Sequence, residues 1–200
     1  MGYNNNMNLF LYNYSWMMYN VGLAIIPVVL GFVMLKIKSR RYKIIIGAIW
    51  LAFLPNTIYM LTDINHLLEQ WNLVTNTGGK TILVSQYALL MILAVITFIA
   101  AQYPFEKIIK KDFKLDSFSR IIVLIVIDFF VAFGVILGGI ERVNSWELIT
   151  NPKSVIENVS TLFHSGAQVS LIIGFGGLFS IIYFSFRDAS LRFFKYLKKI

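Results

Sequence analysis

Four residues with hydrogen-bonding or acid–base side chains recur at spacings of three, four and three within an otherwise apolar stretch: Asn56, Tyr59, Asp63 and His66. On an α-helix, which turns about 100° per residue, they fall within roughly 80° of one face. A carboxylate and an imidazole three residues apart suit two kinds of chemistry. They can serve as a general base with its orienting partner, or supply two ligands to a divalent metal such as zinc. Two ligands do not close a metal site, so others must come from elsewhere; His164 is a candidate, equally readable as a surface residue of a short helix, and Glu141, Glu147 and Glu157 fall on the same side. Asn56 and Tyr59 would position a substrate beside the Asp63–His66 pair. The plainer alternative is that Asp63 and His66 end a helix and bond to neighbouring loops. Pro55 removes one backbone hydrogen bond and predicts a kink just below the polar stripe.

A second polar group lies in Gly138-Gly139-Ile140-Glu141-Arg142-Val143-Asn144-Ser145-Trp146-Glu147. Arg142, Asn144, Ser145 and Trp146 are candidate substrate contacts there. Ser145 lacks the Gly-x-Ser-x-Gly setting of an exposed nucleophile. With no cysteine in the chain, disulfides, thiolate metal sites and cysteine nucleophiles are excluded. Asp128 stands alone within Ile125-Val126-Ile127-Asp128-Phe129-Phe130. An acid so deep in an apolar segment costs on the order of 2.5–3.5 kcal/mol to insert, so it should face other helices and be paired or protonated. Either a proton or ion relay, or a neutral carboxyl bonded to a nearby hydroxyl or backbone carbonyl, satisfies that demand.

The elements that carry these residues follow from composition. Across 200 residues the chain is 58% hydrophobic and 14% charged, with a mean hydropathy of +0.70. That leaves too few polar residues to cover a soluble surface. About 20 apolar residues cross the roughly 30 Å hydrocarbon layer. Five segments qualify, at about 16–35, 44–62, 81–103, 121–140 and 168–186. The expected architecture is one polytopic domain, an all-α integral membrane protein of about five transmembrane helices with short amphipathic surface helices. Asn151-Pro152 opens one surface helix, with Asn as cap and Pro at the first position, and Gly166 closes it. The tail at 187–200 alternates apolar and basic residues like a second. Gly134 and Gly138, and Ser170 and Gly174, are small pairs that permit close helix packing, inside the bundle or in a homo-oligomer.

Charge predicts orientation. Lys36, Lys38, Arg40, Arg41 and Lys43 fill the first connection, and Lys107, Lys110, Lys111, Lys114 and Arg120 the third. Arg187, Arg192, Lys195, Lys198 and Lys199 follow the last span, leaving only Lys80, Arg142 and Lys153 on the other side. The crowded side is cytoplasmic under the positive-inside rule. That makes the chain a multi-pass plasma-membrane protein with its N-terminus outside and its C-terminus in the cytoplasm. The basic residues adjoin apolar segments, so their expected partners are the bilayer and its anionic lipids rather than nucleic acid. The opening residues carry no basic n-region, so no secretory signal is expected. Trp16, Tyr19, Trp71 and Trp146 fall at the outer ends of spans, where aromatic rings favour the interface.

Leu54-Pro55-Asn56, Tyr59, Thr62-Asp63, His66-Leu67 and Asn144-Ser145-Trp146 together resemble the bacterial family known as domain of unknown function 1361. Tyr19-Asn20 with Leu23-Ala24 and Pro27 is similar to that family's early segment, which has Trp where Tyr19 stands. The resemblance covers about residues 19–150 and implies a membrane protein without an assigned activity. It departs at Ile136, Gly139 and Val143, where that family usually carries Tyr, Arg and Trp. Two functions then compete. One is an enzyme with an outward-facing polar site, acting on a lipid-linked or cell-envelope substrate. The other is a non-enzymatic transporter subunit or assembly factor in which the polar motif is structural.

Overall fold

In the computed structural model, residues 2–140, 143 and 146–197 are described, and among them lie nine helices and no strand. They are α1 (Gly2–Lys36), α2 (Arg40–Phe53), α3 (Pro55–Tyr59), α4 (Ile64–Trp71), α5 (Thr77–Lys111), α6 (Ser117–Ile140), α7 (Glu147–Thr150), α8 (Pro152–His164) and α9 (Gly166–Leu197). Five stretches are long and apolar enough to cross a membrane: Met7–Lys36, Arg40–Trp71, Thr77–Lys111, Ser117–Ile140 and Gly166–Ala189. Each contains one of the expected spans. The first three run well past the expected ends, because hydropathy falls off in the polar flanks while backbone hydrogen bonding continues. At 1.5 Å per residue the 35-residue α5 is about 52 Å long, so it projects beyond the hydrocarbon layer.

The helices pack as two pairs around a short central piece. α1 lies along α5, α6 lies along α9, and α3 touches α1, α5 and α6. The main core joins Trp50, Leu54, Ile58, Phe98, Val131 and Phe179, and a second cluster of Met17, Met60, Leu83 and Tyr87 binds α1 to α5. Outward faces are apolar as well, with Ile44, Leu89, Ile92, Ile173 and Ile181 exposed. Such a surface matches lipid as its solvent.

One face of the bundle gathers the basic connections. There Lys43 pairs with Asp112, and the Arg40 guanidinium lies 5.9 Å from the centre of the Phe113 ring. Asp116 caps α6 by accepting from the backbone N–H of Phe118 (2.9 Å) and Ser119 (3.3 Å). The Ser119 side chain, and then the backbone amides, hold this exposed carboxyl below its ordinary value. Arg187, expected in a lipid-facing tail, instead turns inward to Glu106. As far as Leu197 the tail simply continues α9, with no break between span and surface helix.

The second span is a broken helix, not the continuous one that the polar stripe implied. Pro55 opens α3, yet Leu54 keeps helical angles (φ −56°, ψ −38°), so the direction barely changes. The larger break spans 60–63. Leu61, Thr62 and His66 donate their N–H groups to Ile58, Tyr59 and Asp63, three residues back (3.0, 2.8 and 3.0 Å). These tighter turns advance about 120° per residue, which rotates Asp63 and His66 relative to Asn56. Pro55 seats its ring against Gly134 of α6, where any β-carbon would collide with it. Gly138 faces Tyr59, so both glycines of that pair work within the bundle. A β-carbon on Gly174 would meet nothing within 4 Å, so the Ser170–Gly174 pair makes no close packing inside the chain.

α8 begins at Pro152 as expected, but Asn151 makes no side-chain cap. It ends at His164, and Gly166 opens α9 instead of closing α8. Val155 and Leu162 pack on Ile136 and Leu137 of α6.

Gly134→Ala should destabilise the detergent-solubilised protein by about 1–3 kcal/mol through overpacking against Pro55. Gly174→Ala, in open space, should leave thermal unfolding nearly unchanged.

Candidate functional site

A cavity of about 600 Å³ opens between α1, the broken second span and α6, in the half of the bundle away from the basic connections. Asn56, Tyr59, Asp63 and His66 all line it, despite the break in their helix. α1 adds Trp16, Tyr19 and Asn20, and α6 adds Phe130, Phe133, Gly134 and Gly138. The two glycines matter sterically, since side chains there would fill the space beside Pro55 and Tyr59.

Asp63 is the most enclosed polar group of the stripe, 5% exposed. Its Oδ2 accepts from the Asn20 amide at 3.3 Å. That bond joins α1 to the turn between α3 and α4. His66 is exposed and takes a different partner. Its Nδ1 lies 3.2 Å from Glu69 Oε2, and its ring meets Trp16 edge-on with centroids 5.7 Å apart. The imidazole is therefore oriented by Glu69, not by Asp63. With Nδ1 protonated toward that carboxylate, Nε2 keeps the lone pair that can take up a proton or hold a ligand. Asp63 and His66 thus hydrogen-bond to different partners, Asn20 and Glu69. Asn56 donates to the carbonyl of Phe53 at 3.0 Å.

Beside the cavity a polar clasp ties three helices. Asn13, fully buried, donates to Gln70 Oε1 at 2.7 Å and accepts from Gln70 Nε2 at 3.0 Å. Trp16 Nε1 donates to Asn13 Oδ1 (3.1 Å) and the Tyr87 hydroxyl to Gln70 Oε1 (3.4 Å). Asn13, Trp16 and Asn20 sit three and four residues apart, the same spacing that marked the second span. That polar stripe in α1 is a signal readable in the sequence, although it contains neither acid nor histidine. Trp16 accordingly serves the cavity wall and the clasp and is only partly exposed, whereas Trp71 stays at the surface with Lys80 4.6 Å from its ring centre.

Several expected contributors do not join the cavity. Trp146 is exposed and His164 ends α8 with its Nδ1 2.6 Å from the Ser160 carbonyl, and neither lines the cavity. Among the described residues no three His, Asp or Glu side chains converge as a metal site, so the set Asp63, His66 and His164 is not assembled. The helical count that brought His164 to the same side of the membrane carried no information on lateral position. Arg142, Asn144 and Ser145 lie outside the described residues, as does Glu141.

Next to the polar cavity runs a second hollow of about 570 Å³, lined by Ile125, Val126, Phe129, Phe130, Phe133, Phe163 and Ile172. Phe130 and Phe133 belong to both. Phe133 stacks on Phe163 of α8, centroids 5.8 Å apart. Polar cavity and apolar groove therefore share a wall.

Fold and site together define a multi-pass helical membrane protein with a polar cavity at the face opposite its basic connections. The chain belongs to the family described as "Protein of unknown function (DUF1361)", whose model matches residues 19–182. No curated protein and no solved structure matches it. The matched range contains the cavity residues from Tyr19 through Val143 together with most of α9.

Asn13→Leu and Gln70→Leu should each destabilise the protein by about 1–3 kcal/mol, because each breaks the paired amide bonds of the clasp and leaves the surviving amide only its bond to Trp16 or Tyr87. Thermal unfolding of the double variant should cost clearly less than the two singles added together, since no half-paired amide then remains.

Proposed function

We propose that this is a cell-envelope protein of the bacterial plasma membrane, with its basic face cytoplasmic and its cavity open to the outside. The cavity binds a lipid-linked or cell-envelope substrate with a hydroxyl-bearing head group. The observation that carries this reading is the shared wall of Phe130 and Phe133 between a polar cavity and a wholly apolar groove. An amphiphile needs that combination, a hydrogen-bonding hollow for its head and a hydrocarbon-lined one for its chain.

The lining fits such a head group. Amides of Asn20 and Asn56, the Tyr59 hydroxyl and the Asp63 carboxylate can bond to hydroxyls, while Trp16 and Tyr19 offer flat apolar faces. Among the described lining residues His66 is the one side chain that can carry positive charge. Asp63 and His66 are the groups able to exchange a proton with a bound substrate. The basic face would sit against anionic lipids.

A second reading, that the polar motif is structural in a transporter subunit or assembly factor, draws on the Asn20–Asp63 bond between α1 and the second span. The Asn13–Gln70 clasp already performs that tie, which weighs toward a binding role for the stripe.

Native mass spectrometry of protein extracted from its own membrane should detect a retained amphiphile. Asp63→Asn and Ile172→Trp should both reduce its occupancy, the first from the head side and the second by filling the groove. Equal retention in all three proteins would sink the binding reading, and a large fall in thermal stability of Asp63→Asn alone would favour the structural one.

Orientation has its own test, helped by the absence of native cysteine. Leu73→Cys, exposed between α4 and α5, should react with a membrane-impermeant maleimide in intact cells, and Lys38→Cys should react only after lysis.

A further inference from the structure

The buried acid of the fourth span lies apart from the cavity. Asp128 is fully buried in the packing of α5, α6 and α9. Gln102 Nε2 donates to its Oδ1 at 2.6 Å, and Ser180 Oγ donates to its Oδ2 at 2.9 Å. Both carboxyl oxygens thus accept, as in an ionised carboxylate. Yet no cation pairs with it among the described residues. Arg187, the basic group on the facing helix, bonds through Nε to Glu106 Oε2 at 3.0 Å and through its other nitrogen to Oε1. The Tyr183 hydroxyl donates to the same Glu106 Oε2 at 2.9 Å.

The remaining charged neighbours are distant or outward. α6 itself offers Arg120, eight residues earlier and bonded to Ser117 and the Asp116 carbonyl. α8 carries only exposed Lys153, Glu157 and His164. α3 contributes Thr57, whose hydroxyl donates to the Leu54 carbonyl. An unpaired carboxylate in hydrocarbon is costly, so proton uptake is the local remedy.

A second observation shows how a proton could be received. Gln102 is fully buried, and its Oε1 has no hydrogen-bond partner. This orphan acceptor belongs to the same amide whose nitrogen already touches Asp128. A half-turn of that amide brings Oε1 to the carboxyl, where a protonated Asp128 can donate to it. In the ionised state the amide N–H groups serve the carboxylate and Oε1 goes unpaired. In the neutral state Oε1 is paired and the N–H groups are not. Each state satisfies one end of the amide and leaves the other, so neither is locked by its surroundings.

We propose that Asp128, Gln102 and Ser180 form an exchangeable-proton site in the middle of the membrane. The proton bonds to one Asp128 oxygen on loading. On release it passes to water and leaves a carboxylate held by the Gln102 amide and the Ser180 hydroxyl. Glu106 and Tyr183 stand one turn nearer the basic face on α5 and α9, Arg187 a further turn along α9, and together they separate the site from the solvent there. With an Arg187 side chain 26% exposed and a Glu106 side chain 7% exposed, they form the partly wetted end of the polar column. The site is independent of the cavity and of what the cavity binds.

Infrared difference spectra of the full chain in phosphatidylcholine vesicles, recorded between about pH 5 and about pH 9, test this across the range in which a buried acid can titrate. The expected result is a carboxylic-acid carbonyl band that falls as pH rises, with matching growth of carboxylate bands. Asp128→Asn removes that band. Ser180→Ala keeps the acid but changes its hydrogen bonding, so it shifts the band frequency and assigns it even if Asp128→Asn fails to fold. A spectrum with no titrating band sensitive to either substitution overturns the proposal, whether Asp128 is then locked neutral or locked ionised.

Discussion

Hydrocarbon offers no hydrogen-bond partner, so each polar side chain inside this bundle must be satisfied by another part of the chain or by an enclosed hollow. That constraint sorts the interior polar residues into a few compact groups. Asn13, Trp16, Gln70 and Tyr87 form a clasp, and Asn20, Asn56, Tyr59, Asp63 and His66 border a cavity. Gln102, Asp128 and Ser180 form a third group, followed over the next two turns by Glu106, Tyr183 and Arg187. The surfaces between these groups are hydrophobic contacts, and the outer faces are bare of polar groups over long stretches. Helix placement therefore follows from polar pairing as much as from apolar packing, which lipid by itself does little to drive.

The second span is where these demands meet. Its break between α3 and α4 lets Asp63 turn toward α1 while Gln70 reaches Asn13 one helix face away. Pro55 fits only because α6 presents Gly134 at that point. The same close approach of α3 to α6 sets the depth of the cavity, since Gly134, Gly138 and Tyr59 all border it. A proline, a glycine pair and a run of three-residue turns thus cooperate to hold a hollow open between helices that would otherwise close on one another. Beyond the cavity, α8 lays Phe163 on Phe133 and closes the upper side of the apolar groove. A loop helix at the surface thereby becomes part of the wall of an open apolar groove.

Much of this was legible in residue order. Hydropathy alone located the five spans, because crossing a bilayer requires a minimum apolar length and little else. The spacing of Asn56, Tyr59, Asp63 and His66 predicted that they would face a common hollow, and the family resemblance carried by Pro55-Asn56, Asp63 and His66 agrees with the family to which the chain belongs. For Asp128, the sequence left a nearby hydroxyl or a backbone carbonyl open as partner, and the structure supplies the Ser180 hydroxyl. Less was visible for Gln102 and Glu106, which sit in a stretch whose hydropathy marks it only as the end of a span. Their role depends on residues about 26 and 80 positions away, beyond the reach of any local period. Nor could spacing reveal that Glu69, and not Asp63, orients His66, since that required knowing where tighter turns replace the α-helix.

The sequence by itself determined which segments enter the membrane, which face gathers positive charge, and that a polar stripe must be shielded from lipid. Each of these is a one-dimensional property, a run length, a charge asymmetry or a period, and each acts before any two helices meet. Only the tertiary structure decided who shields whom. It set Asn20 on Asp63, Arg187 on Glu106, Gln102 and Ser180 on Asp128, and Gly134 beneath Pro55. Lateral position and rotation of a helix are free in the sequence pattern, because many rotations bury a similar apolar area. The choice among them falls to the few polar and steric contacts that a single arrangement can satisfy together.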